Sequence, residues 1–282
     1  MTIKLSVVIP VFNSAKYLVR CLDALEGQDY PAESFEVIVV DNNSTDDSVA
    51  IVRRHQGVRL LRESKQCSYS ARNTGVRAAS GEVIAFLDPD CLPVPGWLAA
   101  IARAIETPRR GIVLGKREFD APTRGLRRLS EYDTVLAEHI NSSQNPDIYF
   151  GYCNNMAVRR TLFDEQGGFH EVPRGADTVF VHNAVITHGC DIVGYDGDIR
   201  VVHLEIDGVT DFFRKRMYYG ASNSRTRGLG TARPLSQRER LRVYARTVRS
   251  HNYSPLQAAE LLALLGLGVF FYSFGRWRGR LG

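Results

Sequence analysis

Over its first hundred residues the chain alternates short, unbroken apolar runs with amphipathic stretches of helical period. The runs VVIP, VIVV and VIAFL carry no charged or strongly polar residue. That is the pattern of parallel strands buried on both faces, not the in-out alternation of a half-exposed sheet. IKLSVVIPVF therefore predicts a first strand, FEVIVVDNNSTD a second, GVRLLRE a third and EVIAFLDPD a fourth. Between them, SAKYLVRCLDALEGQ puts Leu18, Cys21, Leu22 and Leu25 on one helical face, with Ser14 as candidate N-cap. DDSVAIVRRH and SYSARNTGVRAASG supply two more helices, the second closed by Gly81. Right-handed crossovers between such units give an α/β fold, a doubly wound, Rossmann-like sheet flanked by helices.

Ligands of doubly wound sheets bind beyond the carboxyl ends of the strands. That rule selects Pro10, Val11, Phe12 and Asn13 after the first strand, Asp41 and Asn43 after the second, and Asp88 and Asp90 after the fourth. All three clusters are expected on one edge. Two carboxylates as close as Asp88 and Asp90 repel, so a cation must lie between them or one must keep its proton. A divalent metal, Mn2+ or Mg2+, is the candidate; the plainer alternative is an Asp-Pro turn.

The second half is less regular. GIVLGKREF predicts a strand, LRRLSEYDTVLAEHI a helix and NSSQNPD a loop. YFGYCNNMAVRRTLFDEQGGF predicts a short strand followed by a helix. DTVFVHNAVITHG is helical from about Asp177 to Gly189, and CDIVGYDGDIRVVHLE reads as two short strands. VTDFFRKRMYYGASNSRTRG begins as a helix and then loses its period. Without repeats or a clear linker, residues 1–225 read as one catalytic-size domain with halves 1–110 and 111–225, followed by a basic helical tail at 226–282. Residues 261–274 of the tail carry no charge and Arg276, Arg278 and Arg280 follow them. That run is short of the about 20 apolar residues a membrane span needs. A helix over 258–275 is therefore expected to lie in a membrane interface or to mediate homo-oligomerisation, with a full span as the third reading.

Composition adds an asymmetry. The net charge is +5, yet residues 211–282 hold 14 Lys/Arg against 3 Asp/Glu, and the rest of the chain 22 against 28. A basic tail suggests an anionic partner: nucleic acid, an anionic membrane or a phosphate-bearing acceptor. It lacks the interleaved aromatics and folded modules of specific nucleic-acid binders, so no specific nucleic acid is expected. Five cysteines without a CxxC pair fit a reducing, cytoplasmic setting. The N-terminal apolar run, about six residues, is too short for a secretory leader.

Four segments in order, SVVIPVFNSAKYLVRCLDAL, VIVVDNNSTDDS, SARNTGVRAASGEVIAFLDPDCLP and GYCNNMAVRRTLFDEQGGF, resemble the family 2 glycosyltransferases over roughly residues 4–225. The resemblance implies a GT-A fold and inverting transfer of sugar from a nucleotide-sugar donor, a UDP-sugar first among them. Its roles map by position. Pro10 to Asn13, Asp41 and Asn43 would hold base and ribose, and Arg72 would reach the diphosphate. Asp88-Pro89-Asp90 matches the DxD motif, with Asp90 and Asp88 on metal and ribose and His203 beside the metal. Asp177 would be the catalytic base, with Glu171 as fallback. Asn154 and Asn155 would lie on the acceptor side. FRKRMYYGASNSRTRG is expected either to supply a loop that closes over the diphosphate, with one of Arg214, Lys215 and Arg216 facing the leaving group, or to form a solvated basic face. One departure is Ala176, which stands where the family carries a glutamate before the base. It motivates a second reading, a non-catalytic nucleotide-binding protein on the same fold. The QxxRW motif of processive synthases is also missing: Arg276-Trp277 has Ser273 in place of the glutamine. A single sugar per encounter is then expected. The acceptor would be a glycan, a lipid-linked intermediate or another hydroxyl compound of cell-surface polysaccharide or glycolipid assembly at the inner membrane face.

Overall fold

Every residue of β1 (Leu5–Val11) is buried, since parallel neighbours flank both its edges and helices cover both its faces. The computed structural model describes residues 4–120, 123–222 and 232–279. After β1 come α1 (Ala15–Glu26), β2 (Phe35–Asp41), α2 (Ser48–Val52), β3 (Val58–Arg62), α3 (Ser68–Ala78) and β4 (Val83–Leu87). Their strands form the parallel order β3-β2-β1-β4. Then follow β5 (Cys91–Pro93), α4 (Trp97–Ile105), β6 (Ile112–Phe119), α5 (Arg124–Ser142), β7 (Asn155–Arg159), α6 (Arg160–Glu165) and α7 (Ala176–His188). The chain continues with β8 (Val193–His203), α8 (Val209–Ser222), α9 (Gln237–Ser250) and α10 (Pro255–Arg278). The sheet extends from β4 through β7, β6 and β8 to β5, antiparallel except between β6 and β8. The result is a mixed eight-stranded sheet flanked by helices with a helical C-terminal tail.

The strand period of two sorts the core into two layers. Leu5, Val7 and Ile9 face Leu18, Leu22, Trp97 and Ile101 of α1 and α4; Val8 and Phe86 face Phe163, Phe169 and Phe180. Three local expectations change. Ser14 stands at the N-cap of α1, but its hydroxyl donates to the Phe12 carbonyl, and Asp46 accepts the Ala15 N–H at 3.0 Å instead. Gly81 does not close α3, which ends at Ala78. A Cβ at Gly81 would lie 2.7 Å from the Ser6 nitrogen, so the glycine permits close approach to β1. The two short strands expected near residue 200 are one strand, β8.

β8 is continuous but not regular. Its register to β6 jumps between Gly115 and Lys116, whose partners are Asp196 and Arg200. The jump is braced from inside by Asn155, which has no exposed surface. Its amide donates at 2.9 Å to the Lys116 and Ile199 carbonyls and accepts from the Trp97 indole at 2.9 Å. Asn155 is thus a structural brace that no acceptor reaches, which corrects its acceptor-side assignment. A Cβ at Gly115 would overlap both the Ile199 carbonyl oxygen and the Asn155 amide.

The expected boundary at 225/226 falls outside the described residues. The tail helices pack on the domain: Val243 of α9 and Leu261 of α10 are buried with Tyr132 and Val135 of α5. Both helices begin with a capping box, at Ser236 and at Ser254. Gly220 of α8 meets the Tyr272 carbonyl of α10, and Gly275 of α10 meets the Met217 carbonyl of α8, with no room for a side chain at either position. Phe213 and Phe271 stack across the same contact, ring centroids 5.2 Å apart.

Gly115→Ala is expected to destabilise the protein by about 1–3 kcal/mol, the usual cost of overpacking. Gly197→Ala, whose added methyl meets nothing, is the control. Equal denaturation midpoints for the two variants would refute the bracing role of this crossing.

Candidate active site

The three polar clusters do open on one edge. Val11 pairs with Asp41, and Val8 with Phe86, so the exits of β1, β2 and β4 lie side by side. The first two are stitched together: Asn13 Oδ1 accepts the Thr45 N–H at 2.8 Å, and the Asn13 N–H donates to the Ser44 hydroxyl. Asn13 and Asn43 both adopt positive φ, 48° and 70°, a conformation that asparagine tolerates better than most residues. Asn43 donates to the Ser64 carbonyl at 2.8 Å. Asp41, 6% exposed, accepts the Ser44 N–H at 3.0 Å. Phe12 stands half exposed beside it at the rim.

Beyond β4 the two aspartates part. Asp88 makes an ion pair with Arg72 of α3, which is itself 5% exposed. Asp90 turns to the far edge of the sheet. There Cys91 of β5 pairs with His203 of β8, and the Leu204 N–H donates to the Asp90 carbonyl at 2.7 Å. This pairing brings Asp90 Oδ2 to 3.5 Å from His203 Nε2. Ligand atoms of Asp90, Cys91 and His203 lie within 4.8 Å of one another. Carboxylate and imidazole form a donor set suited to Mn2+ or a similar divalent ion. Asp88, with one oxygen committed to Arg72, stands outside that cluster. Electrostatics points the same way. Burial, then the charges of Asp88 and Glu205, push the Asp90 carboxyl up to about 8. Burial and the neighbouring Lys215 push His203 down to about 3, leaving a neutral imidazole able to ligate. The site holds more negative charge than the protein neutralises, and a divalent cation fits it.

Of the three expected cations on α8, only Lys215 enters. Its ammonium lies 2.5 Å from Glu205 and 3.4 Å from His203 Nε2. Burial opposes its charge, but the Glu205 hydrogen bond and Asp90 outweigh it and the value rises. Arg214 pairs with Asp211 and Arg216 with Asp133. Residues 223–231, the end of the expected closing loop, lie outside the described residues.

Asp177 sits in the first turn of α7, behind Gly175 at the N-cap position. Oδ1 accepts from the Tyr69 hydroxyl and the Thr178 N–H, both at 2.9 Å, and Oδ2 from the Cys153 N–H at 3.2 Å. Burial raises its carboxyl above the ordinary range, against the Tyr69 hydrogen bond and the Arg72 charge. Tyr69 also accepts the Gly175 N–H, and the Arg72 guanidinium lies over its ring at 5.3 Å. A continuous path, Asp88–Arg72–Tyr69–Asp177, therefore joins the β4 exit to the carboxylate on α7. The sequence reading passed over Tyr69. The signal for it was spacing: three residues before Arg72, it shares one face of α3. Glu205, two residues after His203, was also missed. Ala176 is wholly buried among apolar side chains, so the position of the absent glutamate belongs to the core. Asn154 is half-buried and its Oδ1 has no hydrogen-bond partner among the described residues. Glu171 is exposed and paired with Lys65.

The profile of the family described as Glycosyl transferase family 2 matches residues 6–167. Glycosyltransferase AglE of Haloferax volcanii is 32% identical over 202 residues, 67% of this chain and 65% of AglE. Poly(ribitol-phosphate) beta-N-acetylglucosaminyltransferase TarS of Staphylococcus aureus is 38% identical over 92 residues, 31% of this chain and 16% of TarS. The chain thus spans just under two thirds of the first of these relatives and a small part of the second. Among solved structures, mannosyltransferase PcManGT from Pyrobaculum calidifontis, in complex with GDP-Man and Mn2+, superposes with a TM-score of 0.66 at 22% identity. The match covers 99% of this chain and 84% of PcManGT. The S. aureus TarS 1–349 complex with UDP-GlcNAc gives 0.56 at 18% identity, over 95% and 81% of the chains.

The raised Asp90 carboxyl sets a pH dependence. In chelator-treated protein the native state keeps this proton where the unfolded chain, at its ordinary value near 3.8, has lost it. The stability gained is fully present below about pH 4 and is lost as pH rises through about 8. His203 contributes with opposite sign, but only below its ordinary value near 6.5. Between about pH 6.5 and pH 8 the melting temperature should therefore fall and then level off, and Asp90→Asn should flatten that slope. A slope untouched by Asp90→Asn would overturn the assignment.

Proposed function

This chain belongs to the family 2 glycosyltransferases, and from that membership we propose that it transfers a single sugar, with inversion, from a UDP-sugar to an acceptor hydroxyl, using a divalent metal. The observation that carries this reading is the polar path from Asp88 through Arg72 and Tyr69 to Asp177. It ties a donor-end carboxylate to a buried carboxylate with a raised pKa, the property a general base needs.

Each role follows from position. Asp41, buried at the β2 exit, keeps a carboxylate oxygen for a uracil N–H or a ribose hydroxyl. Phe12, Asn13 and Asn43 flank it at the strand exits, with Pro10 and Val11 buried behind them in β1. Arg72 holds Asp88 and, on this reading, its charge faces the diphosphate; its buried Nε–H has no partner among the described residues. Asp90 and His203 would hold Mn2+ or Mg2+, which when bound offsets the charge gathering on the departing nucleoside diphosphate. Lys215 adds a fixed positive charge next to it. Asp177 takes the proton from the acceptor hydroxyl. The freed oxygen attacks the anomeric carbon on the face opposite the diphosphate, the sugar–phosphate bond breaks, and configuration inverts. Asn154 lies on the acceptor side. The Mn2+ named with PcManGT and the UDP-GlcNAc named with TarS 1–349 support this choice of donor and metal.

The acceptor, on this reading, is a glycan or lipid-linked hydroxyl of surface polysaccharide or glycolipid assembly, met at the cytoplasmic face of a membrane. α10 supports it. Leu256, Leu262, Leu267, Val269, Phe270, Phe274 and Trp277 are 41–79% exposed along this helix. They run as a stripe of helical period, with Arg276 and Arg278 at its end. By length and composition α10 could cross a membrane. Its other face packs on charged α8, backbone against backbone at Gly220 and Gly275, and that favours lying in the interface over spanning. A second copy of the chain would bring its own basic tail against this one, whereas an anionic leaflet complements it.

Calorimetric titration of UDP, GDP and dTDP with and without Mn2+ tests the donor site. UDP binding that requires Mn2+ and is lost in Asp90→Ala is expected; binding indifferent to both refutes the metal. Asp177→Asn should keep UDP affinity and lower transfer by about 10²–10⁴-fold, and undiminished turnover would exclude it as base. Phe270→Ser with Trp277→Ser should weaken co-sedimentation with phosphatidylglycerol vesicles, and an unchanged partition would remove the lipid reading.

A further inference from the structure

Most of the charged side chains around the site are matched in pairs. Arg72 has Asp88, Lys215 has Glu205, Arg216 has Asp133, Lys116 has Glu118 and Arg214 has Asp211. Arg117 of β6 does not follow. Its side chain is half-buried, and its one contact of note among the described residues is the face of Tyr152, 3.8 Å from guanidinium carbon to ring centroid. A partly desolvated cation with no carboxylate against it is costly, and an aromatic face returns only about 0.5–2 kcal/mol. Stacked on the ring, the planar guanidinium keeps its in-plane N–H fork free, the geometry that grips a phosphate through two oxygens. A second group nearby also lacks a partner. The Tyr195 hydroxyl is buried without a hydrogen bond among the described residues, close enough to Arg117 and Tyr152 to feel both.

The location says which substrate would bring that anion. Arg117 pairs with Val201 of β8, two residues before His203. Tyr152 directly precedes Cys153, whose N–H holds Asp177. The Tyr152 hydroxyl donates to the Gly115 carbonyl at 2.8 Å, which fixes the ring under Arg117. The pair thus lies between the metal-ligand candidates and the proposed base. Arg72 is committed to Asp88 and Lys215 to Glu205, whereas Arg117, whose charge also reaches His203, carries no such partner among the described residues.

We propose that Arg117, carried on the ring of Tyr152, is a docking point for a phosphate group on the acceptor. The inference rests on the transfer reading above, and it narrows the acceptor to a phosphorylated compound whose hydroxyl is presented to Asp177. Phosphate bound there would be positioned, not transformed.

The test is a titration of phenyl phosphate into full-length protein saturated with UDP and Mn2+, followed by 31P NMR, for wild type, Arg117→Met and Arg117→Lys. Wild type should bind. Arg117→Met should weaken binding about tenfold or more, the loss of one charge-assisted contact. Arg117→Lys should restore part of it, and UDP affinity should stay within about twofold in both variants. Phenyl phosphate binding that is absent in wild type, or equal in Arg117→Met, overturns the proposal. So does a collapse of UDP affinity in Arg117→Met, which would assign the residue to the donor. Thermal melts identify a variant that has failed to fold, and Arg117→Lys then carries the comparison. Failure of UDP to bind wild type would count against the donor reading alone, because the phosphate titration is repeated without nucleotide.

Discussion

Negative charge gathered at the end of a buried strand is the constraint to which this structure answers. Asp88 and Asp90 leave β4 two residues apart, and Glu205 joins them from beyond β8. Three carboxylates this close, with Asp90 largely withdrawn from water, cannot all ionise unaided. The protein supplies a buried arginine to one and a lysine to another, and leaves the third beside a neutral histidine. The shortfall of positive charge at Asp90 is what makes the site receptive to a divalent cation. The same economy reaches the proposed base. Arg72 serves Asp88 directly and Asp177 through the Tyr69 ring, so the proposed donor and acceptor ends share one cation.

The backbone that makes this possible is the irregular part of the sheet. A regular β8 would keep one register along the whole of β6. The register jump braced by Asn155 takes up extra β8 residues, after which its last ones pair with β6 on one side and β5 on the other and bring His203 to Asp90. A wholly buried side-chain amide is tolerable there because each of its polar atoms has a partner. Asn155 matters to the site through shape alone.

The wound half of the fold was legible because its strands are unbroken apolar runs and its ligand edge follows from topology. β1 to β4, their helices and the placing of Asp41 and Asp88 rested on that pattern. α4 was passed over although its signal was there: Trp97, Leu98, Ala100, Ile101, Ala104 and Ile105, all buried, recur at helical spacing. The pairing of β5 with β8 spans more than a hundred residues, and CLP alone does not announce a strand. Local sequence also misassigned Asn155. Two adjacent asparagines look alike until the sheet buries one and leaves the other half open. Ser14 and Gly81 show the same limit: each residue type was right for a terminus, and tertiary neighbours gave it different work. Lys215 could not be chosen among three consecutive cations until α8 was seen to turn one of them inward.

The contact of α8 with α10 has a mechanical consequence. Where Gly220 and Gly275 let two backbones touch, no side chain lies between them to change rotamer and absorb a displacement. A sideways push on the outer apolar stripe of α10 is therefore passed to α8 as a shift of the whole helix. Lys215 rides on that helix, and its ammonium is within reach of Glu205 and His203. The pair acts as a stiff lever, with one arm at the protein surface and the other at the electrostatic centre of the site.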